Sequence, residues 1–334
     1  MHIPDNYLSP SSCAVLAAAT VPVWAHSVKK LKAELPKEKV AMLGVGAAFS
    51  FVAMMFNIPM PGGTTGHAVG GTLIALLLGP ESACIAVTVA LLIQALLFGD
   101  GGILAFGANC FNIAFLLPYV GYYTYKLCAR VLHADELGAK SSRNLLAIGI
   151  GSYVGINVAA LATAIEFGIQ PALFHTSQGV PLYCPYGLNI AVPAMMLGHL
   201  TVFGAVEVIF TIAVYSFISN TSPGLIKDFK IKDEDSRRTT PLFGLLAILI
   251  AATPLGLLAQ GTAWGEWEIS EIPTMKESFS WNSLLPDYSL AGLPDVVAYI
   301  LSAIIGVLLL IITFRLISAG MKRTTDFGDN PNDN

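Results

Sequence analysis

Positive charge is distributed along this chain in a pattern that few folds can accommodate. Apolar runs fall at about 10–28, 40–58, 67–80, 83–98, 104–127, 144–167, 187–218, 241–260 and 296–316, and 17 of the 18 lysines and arginines sit on alternate connections between them. Lys29, Lys30, Lys32, Lys37 and Lys39 separate the first two runs, and Lys126, Arg130, Lys140 and Arg143 the fifth and sixth. Lys227, Lys230, Lys232, Arg237 and Arg238 separate the seventh and eighth, and Arg315, Lys322 and Arg323 follow the ninth, which leaves Lys276 alone on the other set of connections. About 20 apolar residues in a helix cross the hydrocarbon core of a bilayer, and lysine- and arginine-rich connections stay on the cytoplasmic side. The chain is therefore expected to be an all-α polytopic membrane protein of about seven helices plus two more, with its N-terminus outside and its C-terminus in the cytoplasm. Charged residues are only 12% of the chain and hydrophobic ones 54%, where soluble domains carry roughly 25% charge. The third and fourth runs are short and meet at Gly79-Pro80, so one of them is expected to be tilted or only partly spanning.

No basic segment precedes the first run, so no cleavable signal peptide is expected and Met1 is expected to survive. The five cysteines, Cys13, Cys84, Cys110, Cys128 and Cys184, form no C-x-x-C pair and read as structural thiols. The outer connections have a different character from the basic ones. Segments 59–66 (PMPGGTTG) and 99–103 (GDGGI) are tight and glycine-rich, the kind of irregular backbone tolerated beside a membrane where it is packed in protein or lines a cavity. Trp264, Trp267 and Trp281 suit an aromatic belt at the lipid boundary.

The opening Met1-His2-Ile3-Pro4-Asp5 has the chemistry of a metal site. A free α-amine at Met1, the backbone nitrogen of His2 and its Nδ1 can close on one ion through a five-membered and then a six-membered ring. Displacing an amide proton needs a strongly polarising ion, which favours Cu(II) or Ni(II) with square-planar nitrogen donors. Pro4 stiffens the terminus by fixing its own φ and holding Ile3 extended. On this stretch alone the plainer reading, an incidental histidine on a frayed terminus, stands ahead. His67, in GGTTGHAVGG, could give a fourth nitrogen, and the charge pattern brings it to the same face as His2.

Other polar residues weigh less. Glu81, Asp100 and Glu166 sit at helix ends, where solvated or capping roles are expected. His199 and Glu207 are about 12 Å apart along a helix and a quarter turn out of phase, too far to share an ion, and are expected to hydrogen-bond between helices. His26 and His133 read as surface groups, and His175 as a loop histidine on the outer side. Asn109 and Asn112 either orient a metal-bound imidazole from behind or tie helices together. Ala14 and Ala18, and Gly44 and Ala48, are spaced for close helix approach, inside the protein or to a partner. No G-x-x-x-x-G-K-[ST] loop is present, so ATP is not used through that fold. H-E-x-x-H is absent too, as is a chain of intramembrane carboxylates for proton coupling. A metal-capturing chain without an engine implies an energised partner.

MHIPDNYLSP, PMPGGTTGHAVGGTL, GDGGILAFGANCFNIAF and PLYCPYGLNIAVPAMMLGHL followed by Glu207, in this order over about residues 1–218, resemble the substrate-capture subunit of energy-coupling-factor cobalt/nickel transporters, the CbiM/NikM group. The resemblance implies that Ni(II) or Co(II) is captured at the extracytoplasmic face by Met1, His2 and His67, with Thr65, Asn109 and Asn112 as candidates behind them. It implies a transmembrane coupling subunit and ATP-binding subunits as partners, in a prokaryotic inner cell membrane. It also implies no enzymatic activity, no nucleic-acid partner and no permanent cofactor, the metal being cargo. The family has Gly where Asn6 stands here. Residues 219–240 read as a cytoplasmic linker, and 241–334 resemble a two-span accessory component of the PDGLE/CbiN/NikN type, with Thr253-Pro254-Leu255-Gly256 in place of the usual tetrad. Two rivals stand beside this reading: a stand-alone divalent-metal channel or secondary carrier, and a membrane metalloenzyme.

Overall fold

The computed structural model describes all residues except 35–36, 61–63, 135–137, 227–238, 260–262, 267–278 and 327–334. Most of the linker's charged residues, Trp267 and Lys276 therefore lie outside the described residues. The regular secondary structure of the rest is helical apart from one two-residue strand pair. In chain order the helices are α1 (Pro10–Glu34), α2 (Lys37–Met54), α3 (Gly71–Leu78), α4 (Pro80–Ile93), α5 (Phe106–Asn109), α6 (Leu117–Val131), α7 (Ser142–Gly168), α8 (Gln170–Leu173), α9 (Leu188–Gly198), α10 (Gly204–Thr221), α11 (Thr240–Ala252) and α12 (Asp295–Asp326). Three π-helical stretches, Gln94–Phe98, Cys110–Leu116 and His199–Phe203, extend or join α4, α5–α6 and α9–α10. Such wide turns occur often at functional sites.

Six helical stretches among the described residues are long and apolar enough to cross a membrane: Pro10–Ala33, Pro80–Phe98, Ser142–Leu173, Leu188–Thr221, Thr240–Leu258 and Asp295–Gly320. This is a multi-pass membrane protein, and six of the nine apolar runs form stretches of that length among the described residues. The third run is the partial one. Its helix α3 has eight residues, about 12 Å against a hydrocarbon thickness of roughly 30 Å, and it is preceded by non-helical backbone at 67–70. That backbone is packed in protein, the one circumstance in which irregular chain is tolerated at depth.

Small residues set two of the helix crossings. A Cβ on Gly151 of α7 would stand 2.6 Å from the Gly121 carbonyl oxygen of α6, so the two backbones touch there. A Cβ on Gly44 of α2 would stand 3.2 Å from Ile311 Cα, which seats α12 directly on α2. Gly44 and buried Ala48 thus serve packing inside the chain, whereas Ala14 and Ala18 of α1 face outward. The accessory helix α12 is anchored further by Tyr299, whose hydroxyl donates to the Met55 carbonyl at 2.8 Å. At the end of the bundle opposite the N-terminus, Lys30 pairs with Glu81 at 2.6 Å. Glu81 is buried in the first turn of α4 and is not the solvated end group expected of it.

Candidate metal centre

The N-terminus is not frayed. Met1, His2, Ile3, Asn6, Tyr7 and Leu8 are all buried, and the peptide is pinned at several points along its length. The Ile3 N–H donates to Asn109 Oδ1 at 2.7 Å, and the Ile3 carbonyl accepts from Asn109 Nδ2 at 3.0 Å and from the Gly102 N–H at 2.8 Å. Asp5 accepts from the N–H groups of Ile103 and Leu104 at 3.0 and 2.8 Å. The Tyr7 carbonyl accepts from the Cys184 N–H, its ring packs on Phe167, and the Ser9 N–H donates to Gln170. Ser9 then caps α1 by accepting from the Ser12 N–H, with Pro10 as first helical residue, where its missing N–H costs nothing. A short peptide fixed by this many partners has lost the freedom that makes termini disordered.

His67 arrives on a separate element. Strands β1 (Ile58–Pro59) and β2 (Thr65–Gly66) pair antiparallel and lead into the extended stretch 67–70. Glu207 of α10 accepts from the Val69 N–H at 2.7 Å and from the Gly70 N–H at 3.1 Å. Gly70, at φ 70°, turns the chain into α3, a conformation that a Cβ would strain. One buried carboxylate thus satisfies the backbone of the stretch that carries His67. The hydrogen-bonding role expected for Glu207 is found, although its partner is re-entrant backbone instead of a helix. His199, eight residues earlier, bonds the Met195 carbonyl within its own turn and packs edge-on against Phe203.

The two imidazoles meet with ring centroids 5.1 Å apart. The Nε2 atoms of His2 and His67 are both buried and have no hydrogen-bond partner. His67 Nδ1 lies 3.1 Å from the Ala68 carbonyl oxygen, which leaves its Nε2 as the lone-pair nitrogen. Orphaned buried nitrogens in a native site call for an explanation, and His67 Nε2, on a ring beside His2 and the chain-terminal amine, fits a metal ligand. Burial pulls the His2 imidazole down to about 4, against the pull of Glu266. Burial does the same to His67, with the neighbouring His2 adding to the effect, again to about 4. Both rings are therefore neutral at pH 7, as ligation requires.

Carboxylates flank the pair. His2 Nδ1 lies 3.1 Å from Asp100 Oδ1, so a chelate through Nδ1 exchanges this contact for the ion. Burial, and then the Glu266 charge, push the Asp100 carboxyl up. The Met1 ammonium donates to Glu266 Oε1 at 2.6 Å. Burial would raise the Glu266 carboxyl, but the ammonium and the two histidines outweigh it and bring it to about 2. Asp100 is further held by Gln94 and by the Tyr288 hydroxyl, so the solvated end role expected of it is not what the fold gives. His2, His67, Asp100, Glu266, Trp281 and Tyr288 share one cleft of 680 Å³.

The remaining candidates divide. Asn109 grips the Ile3 backbone and reaches the metal ligands only through it. Thr65 is buried in β2 and bridges to Ala263. Asn112 donates instead to Thr163 Oγ1 and Glu166 Oε2 at 3.1 and 2.7 Å, which ties helices together away from the rings. Glu166 is thereby a buried acceptor and not the solvated helix end that was expected. His175 is exposed and bonds the Thr176 carbonyl. Trp264 packs against Phe167 and Tyr186, and its backbone N–H donates to Thr64 Oγ1 at 2.9 Å. No group of three or more His, Cys, Asp or Glu side chains that could hold an ion occurs among the described residues. The nitrogens of the chain terminus are what would complete a site here. Glu266, Gln94 and Tyr288 went unnoticed in the sequence. Glu266 stands between two tryptophans in a polar connection and follows no periodicity that would single it out.

Residues 2–225 match the family model CbiM, described as the cobalt uptake substrate-specific transmembrane region, and residues 238–323 match the PDGLE domain. The chain is 48% identical to the probable fused nickel transport protein LarMN of Lactiplantibacillus plantarum, over 98% of this chain and 99% of that one. It is 43% identical to the fused nickel transport protein NikMN of Rhodobacter capsulatus, over 97% and 99%. A crystal structure described as a transition metal transporter superposes with a TM-score of 0.61 at 54% identity, covering 67% of this chain and 94% of that one.

Proposed function

This chain belongs to the CbiM family of cobalt-uptake, substrate-specific transmembrane proteins, here followed by a PDGLE domain, and on that premise we propose that it captures Ni(II) or Co(II) at the extracytoplasmic face of a prokaryotic membrane. The ion is its cargo, and the chain is a transport protein rather than an enzyme. The Met1 amine, the His2 backbone nitrogen and ring, and His67 Nε2 hold the ion. The observation that carries the reading is the buried His67 ring with its unpartnered Nε2, its centroid 5.1 Å from that of the buried His2 ring, beside the buried chain terminus. Four nitrogens in a plane suit Ni(II) better than Co(II), and the relatives from Lactiplantibacillus plantarum and Rhodobacter capsulatus are named for nickel.

Binding and delivery are separate tasks in this reading. No phosphate-binding loop occurs in the sequence, so energy comes from ATP-binding subunits through a transmembrane coupling subunit, the arrangement of energy-coupling-factor transporters. Residues 1–218 form the capture unit, 219–240 the linker and 241–334 the accessory unit. His2→Ala and His67→Ala should each abolish nickel binding in equilibrium dialysis while thermal unfolding of the detergent-solubilised protein stays cooperative. Tight nickel binding retained by either variant would defeat the ligand assignment. Nickel uptake into liposomes containing this chain alone, with no ATP-binding partner, would instead support a self-sufficient channel or carrier.

A further inference from the structure

Asn6 stands where the resembling family has glycine, and the structure gives that residue work to do. Its φ is 70°, a left-handed conformation that Asn tolerates better than other side chains. Its amide then faces the accessory segment. Asn6 Nδ2 donates to the Phe279 carbonyl at 2.7 Å, and Asn6 Oδ1 accepts from the Phe279 N–H at 3.0 Å. The pairing is reciprocal, like one rung of a sheet made by a side chain. Five residues earlier the Met1 ammonium meets Glu266 of the same segment at 2.6 Å, with its side chain 1% exposed. The accessory segment thus holds the terminal peptide at both ends, with His2 between the two contacts. These contacts join residues 265 and 273 positions apart in the chain, and the same segment meets the His67 element through Ala263 on Thr65 and Trp264 on Thr64.

We propose that Asn6 and Glu266 are positioning residues of the metal site: the fused accessory segment latches the N-terminal hexapeptide through the Asn6–Phe279 pair and the Met1–Glu266 ion pair, and so keeps the terminal nitrogens in register with His67. The positioning role rests on the ligand assignment above. Three donors in a chelate must share one plane with His67, and a peptide pinned at one point can swing out of it. Two pins separated by five residues remove that freedom before the ion arrives, the general route by which preorganisation raises affinity. Ligation takes one proton from the Met1 ammonium and releases it, and the amine keeps N–H donors for Glu266, which puts an anion beside the ion's location and keeps a fifth of its side chain exposed toward the cleft.

The test uses the full chain and the variants Asn6→Gly, which keeps the positive φ and removes the amide, and Glu266→Gln, which keeps the shape and removes the charge. Two readouts are taken: the acetylation rate of the Met1 α-amine in metal-depleted protein, followed by mass spectrometry of the N-terminal peptide, and nickel affinity by equilibrium dialysis with the absorption spectrum of the loaded protein. Each variant should speed acetylation and weaken nickel binding by about tenfold, the scale of a lost buried or charge-assisted hydrogen bond, with the spectrum unchanged because the donors are the same. Acetylation rates equal to the unsubstituted protein's would overturn the latch. Faster acetylation with undiminished affinity would show that the latch does not serve the metal. His67→Ala is run alongside: if it keeps nickel, the ligand assignment fails, while the acetylation comparison still decides whether the terminus is latched.

Discussion

The terminal peptide of the candidate site is held by two parts of the chain, the helical body and the accessory segment, and they hold it by different means. Residues 1–9 are held by the helical body mainly through main-chain groups, with Asn109, Gly102, Ile103, Leu104 and Cys184 pairing the peptide along its length. Among the described residues the accessory segment meets the same peptide through Glu266 on Met1 and Phe279 on Asn6. A peptide gripped along its backbone has a fixed course whatever its side chains do. One touched at its ends by side-chain groups is adjusted rather than built. The body therefore makes the site and the accessory segment trims it.

The largest effect expected from breaking this contrast is at Asn109. Asn109→Leu leaves the Ile3 N–H buried without its acceptor and removes one of two donors to its carbonyl, a loss of roughly 2–3 kcal/mol. Nickel affinity should fall by about 100-fold in equilibrium dialysis. A smaller loss than that of Asn6→Gly would reverse the ranking of body over accessory segment. Glu207→Ala comes next. It strands the Val69 and Gly70 N–H groups and should lower thermal stability by about 2 kcal/mol, while Glu207→Gln, which keeps one acceptor, should fall between. An unchanged melting temperature in both would mean that the His67 stretch holds itself.

A third effect is set by pH. The folded His2 and His67 are brought down to about 4 from 6.5, so the unfolded chain binds more protons between these values. Stability rises with pH wherever the unfolded state binds more protons. The stability that their neutrality contributes is thus complete above pH 6.5 and is lost as pH falls towards 4. Melting temperatures in the presence of a chelator should drop across this window, and His67→Ala should flatten the curve. A slope identical to the unsubstituted protein's would show that the ring is not buried neutral. The smallest effect is expected at Asn112, which bonds Thr163 and Glu166 rather than the terminal peptide. Asn112→Ala should lower the melting temperature yet leave nickel affinity within about twofold, and a tenfold loss would bring it back beside the metal.

Much of this was legible in the sequence because it is written in local terms. Apolar length and the alternation of lysines and arginines report spans directly, and Gly79-Pro80 marked the short third run. His2 and His67 were legible as a pair because both fall on connections lacking basic residues. What was hidden depends on long-range packing. Asp100 and Glu166 look like end groups on a one-dimensional reading, and only the fold shows that Tyr288 and Asn112 cover them. Asn109 and Asn112 carry the same side chain three residues apart, and the π-helical turn beginning at Cys110 gives them different neighbours. Glu266 meets Met1 across nearly the whole chain, and no pattern near either residue announces it.

The central claim is that the chain's first nitrogen is a metal ligand. Adding one glycine before Met1 displaces the α-amine while leaving His2, His67, Asp100 and Glu266 as they are. Nickel binding by equilibrium dialysis should then be lost, with a tag at the C-terminus causing no loss. Tight binding with the extra residue present and uncleaved, checked by mass spectrometry, would contradict the account.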